Sequence, residues 1–212
     1  MDLRVIINCA MSADGKIATK DRKQTAISND YDMKRVHELR NSADAILVGI
    51  GTVLADDPRL TVKAKYVHNP RKPIRVVLDS KGRTPQDAKV LDGEARTIIV
   101  TTKESTKEFA NADVLRCGSG RVDLEELLVA LEASGVRVLL VEGGSEVIWS
   151  FLKSRLADEV NIFIGSVVIG GTSAPTPAGG EGAANIEEAV ALRLKNADVV
   201  GDGVLLEYEV DK

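Results

Sequence analysis

The sequence is poor in aromatic residues: three Phe, three Tyr and one Trp, or 3% of 212 positions. A core must therefore be built from Val, Ile, Leu and Ala. Cys9 and Cys117 are too few for a disulfide framework and lack metal spacing. They read as small core residues in a reducing compartment. Only two histidines are present, His37 and His68, and neither has supporting partners nearby in sequence. No metal, zinc site or histidine triad is expected. His37 reads as a partly exposed helix residue. The zinc deaminase pattern is absent, as are the Gly-x-Ser-x-Gly elbow and the Gly-Lys-Ser/Thr of a Walker loop. No apolar run approaches membrane-spanning length, and the N-terminus lacks the charged and apolar regions of a leader. The expectation is a cytoplasmic protein without a membrane partner. Net charge is −4, which argues against nucleic acid as the main partner. With no internal repeat or linker, residues 1–212 read as one domain, able to bury about 70% of its unfolded surface.

What is present is a pair of strand–glycine–helix units. Ala45 to Val48 is a short apolar run that suits a buried strand. Gly49-Ile50-Gly51 makes a tight turn. Thr52 then caps a short helical turn through Val53 and Leu54, which Asp56-Asp57-Pro58 ends. Such a junction points several unpaired backbone N–H groups one way and favours a phosphate. It is equally a tight strand-to-helix connection with no ligand. Val136 to Val141 repeats the pattern: Glu142-Gly143-Gly144-Ser145 follows, then a helix to Leu152. An α/β sheet places its ligand outside the carboxyl ends of its strands. Two such turns after two apolar strands thus suggest one ligand site, although neither is a Rossmann fingerprint.

The remaining chain supports a mixed, mostly parallel sheet flanked by helices, with an antiparallel C-terminal end. Leu3–Cys9, Ile74–Leu78, Thr97–Thr101, Val114–Cys117 and Glu159–Ile169 read as strands. Ala189–Asp198 and Gly203–Val210 read as an antiparallel pair around a Gly201-Asp202-Gly203 turn. Ser28 is the expected N-cap of a helix over Asn29–Ser42, with Asp30 and Asp32 in its first turn. Asp123 is the expected cap of a helix to Ser134, with Glu126 in capping-box position and Gly135 beyond its end. Asp14-Gly15 is a turn signal. Lys20–Gln24, Lys63–Lys72 and Gly170–Ala184 read as loops.

Hydride transfer fits this inventory, because a cofactor carries the chemistry while the protein binds and orients it. An NAD site prefers an acidic group at the ribose; an NADP site prefers hydroxyls and basic groups. Asp79 ends one strand, but Ser80, Lys81, Gly82 and Arg83 follow at once, and Lys103 ends the next. The balance points to NADPH. The bland alternative is that these are solvated surface lysines.

AMSADGKIA, VHELRNSADAILVGIGTVLADDPRLTV, VVLDSKGRTP and LLVEGGSEV together resemble the reductase of riboflavin biosynthesis. That family occurs as the C-terminal domain of a bifunctional bacterial deaminase-reductase and as a stand-alone enzyme. The resemblance spans essentially the whole chain. It implies a dihydrofolate-reductase-like fold, a homodimer and NADPH. It also implies a reaction that opens the ribose of a ribosylaminopyrimidine 5′-phosphate and reduces C1′ to a ribitylamino chain. With no deaminase half in the chain, the expected substrate is 2,5-diamino-6-(ribosylamino)-4(3H)-pyrimidinone 5′-phosphate. The deaminated 5-amino-6-(ribosylamino)uracil 5′-phosphate is the alternative. A dihydrofolate or pterin reductase of the same fold and a non-catalytic NADP sensor are further ones.

By resemblance, the cofactor falls to Ala10, Thr52, Asp56, Ser80, Gly143, Gly144, Ser145, Glu146 and Val147. Asp79, Lys81 and Gly82 belong to the same turn as Ser80. The substrate falls to Arg40, Leu60, Lys63 and Glu142. Lys63 stands where an arginine is common, so a fork contact to phosphate becomes a point-charge contact. Asp14 and Asp56 are the candidates for proton handling, with turn-making as the plain alternative for each.

Overall fold

The computed structural model describes residues 2–21 and 26–212; the expected loop at Lys20–Gln24 lies largely outside them. Nine strands form one sheet in the order β5-β4-β3-β2-β6-β1-β7-β9-β8. They are β1 (Arg4–Ser12), β2 (Ala45–Gly49), β3 (Ile74–Leu78), β4 (Thr97–Thr101), β5 (Asp113–Arg116), β6 (Val138–Val141), β7 (Glu159–Gly165), β8 (Leu192–Val200) and β9 (Gly203–Val210). The helices are α1 (Asp30–Ser42), α2 (Ile50–Asp56), α3 (Leu124–Ala133) and α4 (Ser145–Lys153). The chain sorts into two compact units. One holds the chain to Arg4 with His37–Leu140; the other holds Val5–Val36 with Val141–Lys212.

In the first unit β2, β3, β4 and β5 run parallel, with Val48 opposite Val77 and Val77 opposite Ile99. All residues of β2 and β4 are buried. That explains why they read as unbroken apolar runs rather than alternating ones. The Asp123 carboxylate accepts the Glu126 N–H at 2.9 Å and starts α3. Glu126 does not return the bond. Its carboxylate takes the Gly118 N–H at 2.8 Å and Lys103 Nζ at 3.0 Å instead. Leu127, Leu128 and Leu131 bury one stripe of α3. Asp44, between α1 and β2, accepts the N–H groups of Arg137 and Val138, both at 3.0 Å, and so fixes the entry to β6.

Arg75 breaks the apolar pattern of β3. It is fully buried, and its Nη1 donates to the carbonyls of Lys89 (3.3 Å) and Val90 (2.9 Å) and to Asp92 Oδ1 (2.7 Å). These acceptors sit on and just after a 3-10 turn at Lys89–Leu91. Arg59 Nη1 reaches the other Asp92 oxygen at 2.8 Å, and Lys89 Nζ reaches Asp57 at 3.2 Å. The segment after α2 is thereby tied to the segment after β3 by the Arg59–Asp92 and Lys89–Asp57 ion pairs.

In the second unit β1 and β7 are parallel, while β7–β9 and β9–β8 are antiparallel. Asn29, not Ser28, caps α1: its Oδ1 accepts the Asp32 N–H at 2.8 Å. Its Nδ2 donates to Val200 O and Asp202 Oδ1, each at 2.7 Å, and so ties the helix start to the β8–β9 hairpin. Ser28 donates to the Asp32 carboxylate instead. Burial pushes the thiol of Cys9, half-buried on β1, up to about 12. It also pushes the buried Cys117 of the first unit up to about 11. β8 ends the sheet and is exposed along nearly its full length, Leu194 and Val199 included. Among the described residues, no helix is long and apolar enough to cross a membrane.

Candidate active site

The expected phosphate turns take shape with one change of register. Helix α2 begins at Ile50, and its N-cap is Gly49, with no side-chain capping bond. Thr52 therefore lies inside the helix rather than at its cap. Sequence reasoning favoured Thr52 for its hydroxyl, but a glycine that leaves the helix N–H groups open starts the helix earlier. Asp57 closes α2 in the left-handed region at φ 42, its N–H on Val53 O at 3.0 Å. Asp56, in the last turn, is partly buried, and its Oδ1 is buried without a hydrogen-bond partner. Loss of solvent pushes this carboxyl above the usual carboxylate range.

After β3 the Asp79 carboxylate turns inward. Its Oδ2 accepts the Thr84 N–H at 2.7 Å and the Thr84 hydroxyl at 2.8 Å, and Asp79 is fully buried. It builds the turn that displays Ser80 and Lys81. Gly82 holds φ +65, and a Cβ there would lie 2.5 Å from Lys107 Cγ. Ser80 is half-buried, its carbonyl accepting the Thr102 hydroxyl at 3.1 Å, and Lys81 is exposed. Lys103 points to Glu126, whose carboxylate holds its amine above the ordinary lysine range.

In the second unit α4 starts at Ser145 with Gly144 as N-cap, again without a side-chain cap. Gly143 has φ +124 and open space where a Cβ would be. The N–H groups of Val147 and Ile148 both reach Gly144 O at 3.0 Å, and Gly179 N–H reaches Ser145 O at 3.1 Å. Glu146 is exposed, and Glu142 is half-buried just after β6. Ala10 lies on β1 opposite Phe163. Asp14 is an anchor. It accepts from Ser12 Oγ (2.6 Å), Ile169 N (2.9 Å) and Gly170 N (2.7 Å), and these bonds hold its carboxyl down at about 2. A carboxylate so stabilised is a poor proton donor near neutral pH.

Three expected substrate residues come together in the first unit. Arg40 Nη1 donates to Thr61 O at 3.2 Å. Leu60 is buried in the left-handed region at φ 49. The exposed Lys63 is held by its own backbone, whose N–H donates to His37 Nδ1 at 3.2 Å. His37 is fully buried and stacks on Tyr66, with ring centroids 4.8 Å apart and planes 10° apart. The expectation of a partly exposed histidine fails, because the residues that cover it belong to the loop at 61–66 and not to its own helix. His37, Asp92 and Arg75 were missed as residues that shape this region. The one available signal was an arginine inside the apolar run IRVVL.

This is an α/β reductase scaffold by its comparisons. The chain belongs to the RibD C-terminal domain family, whose model matches residues 4–206. A 2,5-diamino-6-ribosylamino-4(3H)-pyrimidinone 5′-phosphate reductase of Methanothermobacter thermautotrophicus is 43% identical over 211 residues, covering 97% of each chain. The structure of a diaminohydroxyphosphoribosylaminopyrimidine deaminase/5-amino-6-(5-phosphoribosylamino)uracil reductase from Thermotoga maritima superposes with a TM-score of 0.85. It is 28% identical, covering 99% of this chain and 57% of that one. A dihydrofolate reductase from Enterococcus faecalis, 14% identical, superposes with a TM-score of 0.52 over 99% of this chain and 97% of that one, a likeness of fold. The expected dihydrofolate-reductase-like sheet with its antiparallel end is the observed one.

Proposed function

We propose that this chain is the NADPH-dependent reductase of 2,5-diamino-6-ribosylamino-4(3H)-pyrimidinone 5′-phosphate in riboflavin biosynthesis. It works as one reductase domain, in a cytoplasmic homodimer. The likeness to the Methanothermobacter enzyme over 97% of both chains carries the reading. The exposed apolar side chains of the end strand β8 support the homodimer.

The residues present fit a nicotinamide dinucleotide. The N-terminus of α4 has no side-chain cap and follows Gly143, whose Cβ position is open; an uncapped helix start suits a phosphate. Gly143 to Val147, with Ala10, would hold the cofactor in the second unit. Thr52, Asp56 and the Asp79–Gly82 turn are the cofactor residues proposed for the first unit. Ser80 and the exposed Lys81 suit a 2′-phosphate, which favours NADPH. When bound, the cofactor supplies the hydride that reduces C1′ of the opened ribose.

The chain's own residues bind, orient and hold the proton. Arg40 and Lys63 engage the 5′-phosphate dianion, Leu60 packs beside it, and Glu142 holds amino or sugar hydroxyl groups. Of the two candidate acids, Asp56 suits proton handling, since burial raises its carboxyl and leaves Oδ1 unpartnered. Asp14 anchors its loop.

The test is NADPH oxidation with the 2,5-diamino and the deaminated uracil phosphates side by side, and with dihydrofolate as control. Faster turnover of the diamino compound is expected. Preference for the uracil compound would favour the second reading, which the likeness to the Thermotoga maritima uracil reductase supports. NADPH binding without turnover of either pyrimidine would refute the proposal.

A further inference from the structure

Helix α1 grips the loop that carries Lys63 at two points. His37 and Arg40 lie three residues apart on one face, and Thr61 and Lys63 lie two apart in the loop. Arg40 donates to the Thr61 carbonyl, and His37 Nδ1 accepts the Lys63 N–H. The grip closes on itself. Lys63 O accepts the Tyr66 N–H at 3.0 Å, and the Tyr66 ring stacks on the His37 imidazole. Imidazole, amide, turn and phenol ring form one circuit around the Lys63 Cα.

We propose that His37 is a positioning residue for Lys63. Its Nδ1 fixes the Lys63 backbone so that the flexible ammonium stem starts from a set direction and meets the 5′-phosphate. The inference rests on the reading above that Lys63 engages that phosphate. A lysine needs such a base more than an arginine does, because it lacks the rigid fork that orients itself on an anion. The chemistry requires an in-plane acceptor at the Nδ1 position. Asn supplies one through Oδ1; Leu fills similar space without one.

The experiment compares the wild type with His37→Leu, His37→Asn, Tyr66→Leu and Lys63→Ala. KM and kcat are measured for the 2,5-diamino substrate with and without its 5′-phosphate, and NADPH affinity reports an intact fold. His37→Leu is expected to raise KM for the phosphorylated substrate about fivefold to tenfold, the range of one hydrogen bond. It leaves kcat within about twofold and leaves KM for the dephosphorylated compound unchanged. His37→Asn recovers most of the loss, and Lys63→Ala adds little in the His37→Leu background.

The inference is overturned if Lys63→Ala raises the ratio of the two KM values while His37→Leu does not. It is equally overturned if Asn is as damaging as Leu. If Lys63→Ala itself leaves the ratio unchanged, the phosphate placement fails and this inference falls with it. Should His37→Leu not bind NADPH, Tyr66→Leu at a half-exposed position decides: a raised ratio supports the circuit, and an unchanged one refutes it.

Discussion

Replacing Asp92 by Ala should strand a buried charge. Arg75 is fully buried in β3, and Asp92 is its anionic partner at 2.7 Å. Removing one partner of a buried pair costs about 3–5 kcal/mol, because the other charge stays desolvated. Arg75 keeps its bonds to Lys89 O and Val90 O, so the low end, about 3 kcal/mol, is expected. For a chain of this size each kcal/mol shifts Tm by about 2–4 °C, which makes the drop roughly 6–12 °C. Urea titration followed by circular dichroism reads the difference. Two controls bracket it. Arg59→Ala removes only a half-exposed partner of the same carboxylate and should cost about 1 kcal/mol or less. Arg75→Met combined with Asp92→Ala removes the stranded charge and should recover most of the loss. A loss within about 1 kcal/mol for Asp92→Ala, or a double variant worse than the single, would refute the reasoning. The acid arm supplies a second check. Burial raises the Asp92 carboxyl, but the Arg75 hydrogen bond, the Glu94 N–H and the charges of Arg75 and Arg59 outweigh it and leave it below its ordinary range. Its contribution is thus full above the unfolded value of about 3.9 and is lost as pH falls through the lower folded value. Asp92→Ala should therefore lose stability less steeply in that window.

Asp56 carries the opposite sign. Its carboxyl is raised in the fold, so its ionisation works against folding as pH climbs past the unfolded value toward neutral. Asp56→Asn should leave stability equal or higher at pH 7, by at most about 0.5 kcal/mol for a partly exposed carboxyl, while kcat falls at least tenfold; unchanged kcat would remove it from proton handling. Gly82→Ala should destabilise by about 1–2 kcal/mol through its left-handed backbone and weaken NADPH binding measured by fluorescence; unchanged values for both would contradict the turn geometry. Asp14→Asn should leave the pH profile of kcat unaltered above pH ~5, since a carboxyl near 2 has no limb there, while amide exchange of Ile169 and Gly170 accelerates. Loss of an acidic limb would restore Asp14 as a catalytic group.

The strands β3, β4 and β9 were legible to the residue because β-branched runs between turn signals have little else to form. The start of α3 was legible in position at Asp123, whereas those of α1 and α2 were legible in type only. Ser28 and Asn29 are both good caps, and only the contacts of Asn29 with Val200 and Asp202 decide between them. Thr52 lost its capping role to Gly49, which has no side chain by which to announce itself. Helical periodicity reports the face a helix buries against its own sheet and is silent about loops that return from elsewhere. That is why His37 read as partly exposed. Asp79 and Lys103 read as groups displayed at strand ends, yet each is drawn to a side chain far enough along the chain, Thr84 and Glu126, to escape a local reading.

The two thiols determine how the protein meets oxidants. Attack on peroxide or an alkylating reagent proceeds through the thiolate. Burial raises both thiols, Cys117 to about 11 and Cys9 to about 12, so the reactive thiolate is scarce at pH 7. The protein should keep its activity through purification without a reductant, and alkylation of the folded protein by iodoacetamide at pH 7 should be slow at both cysteines.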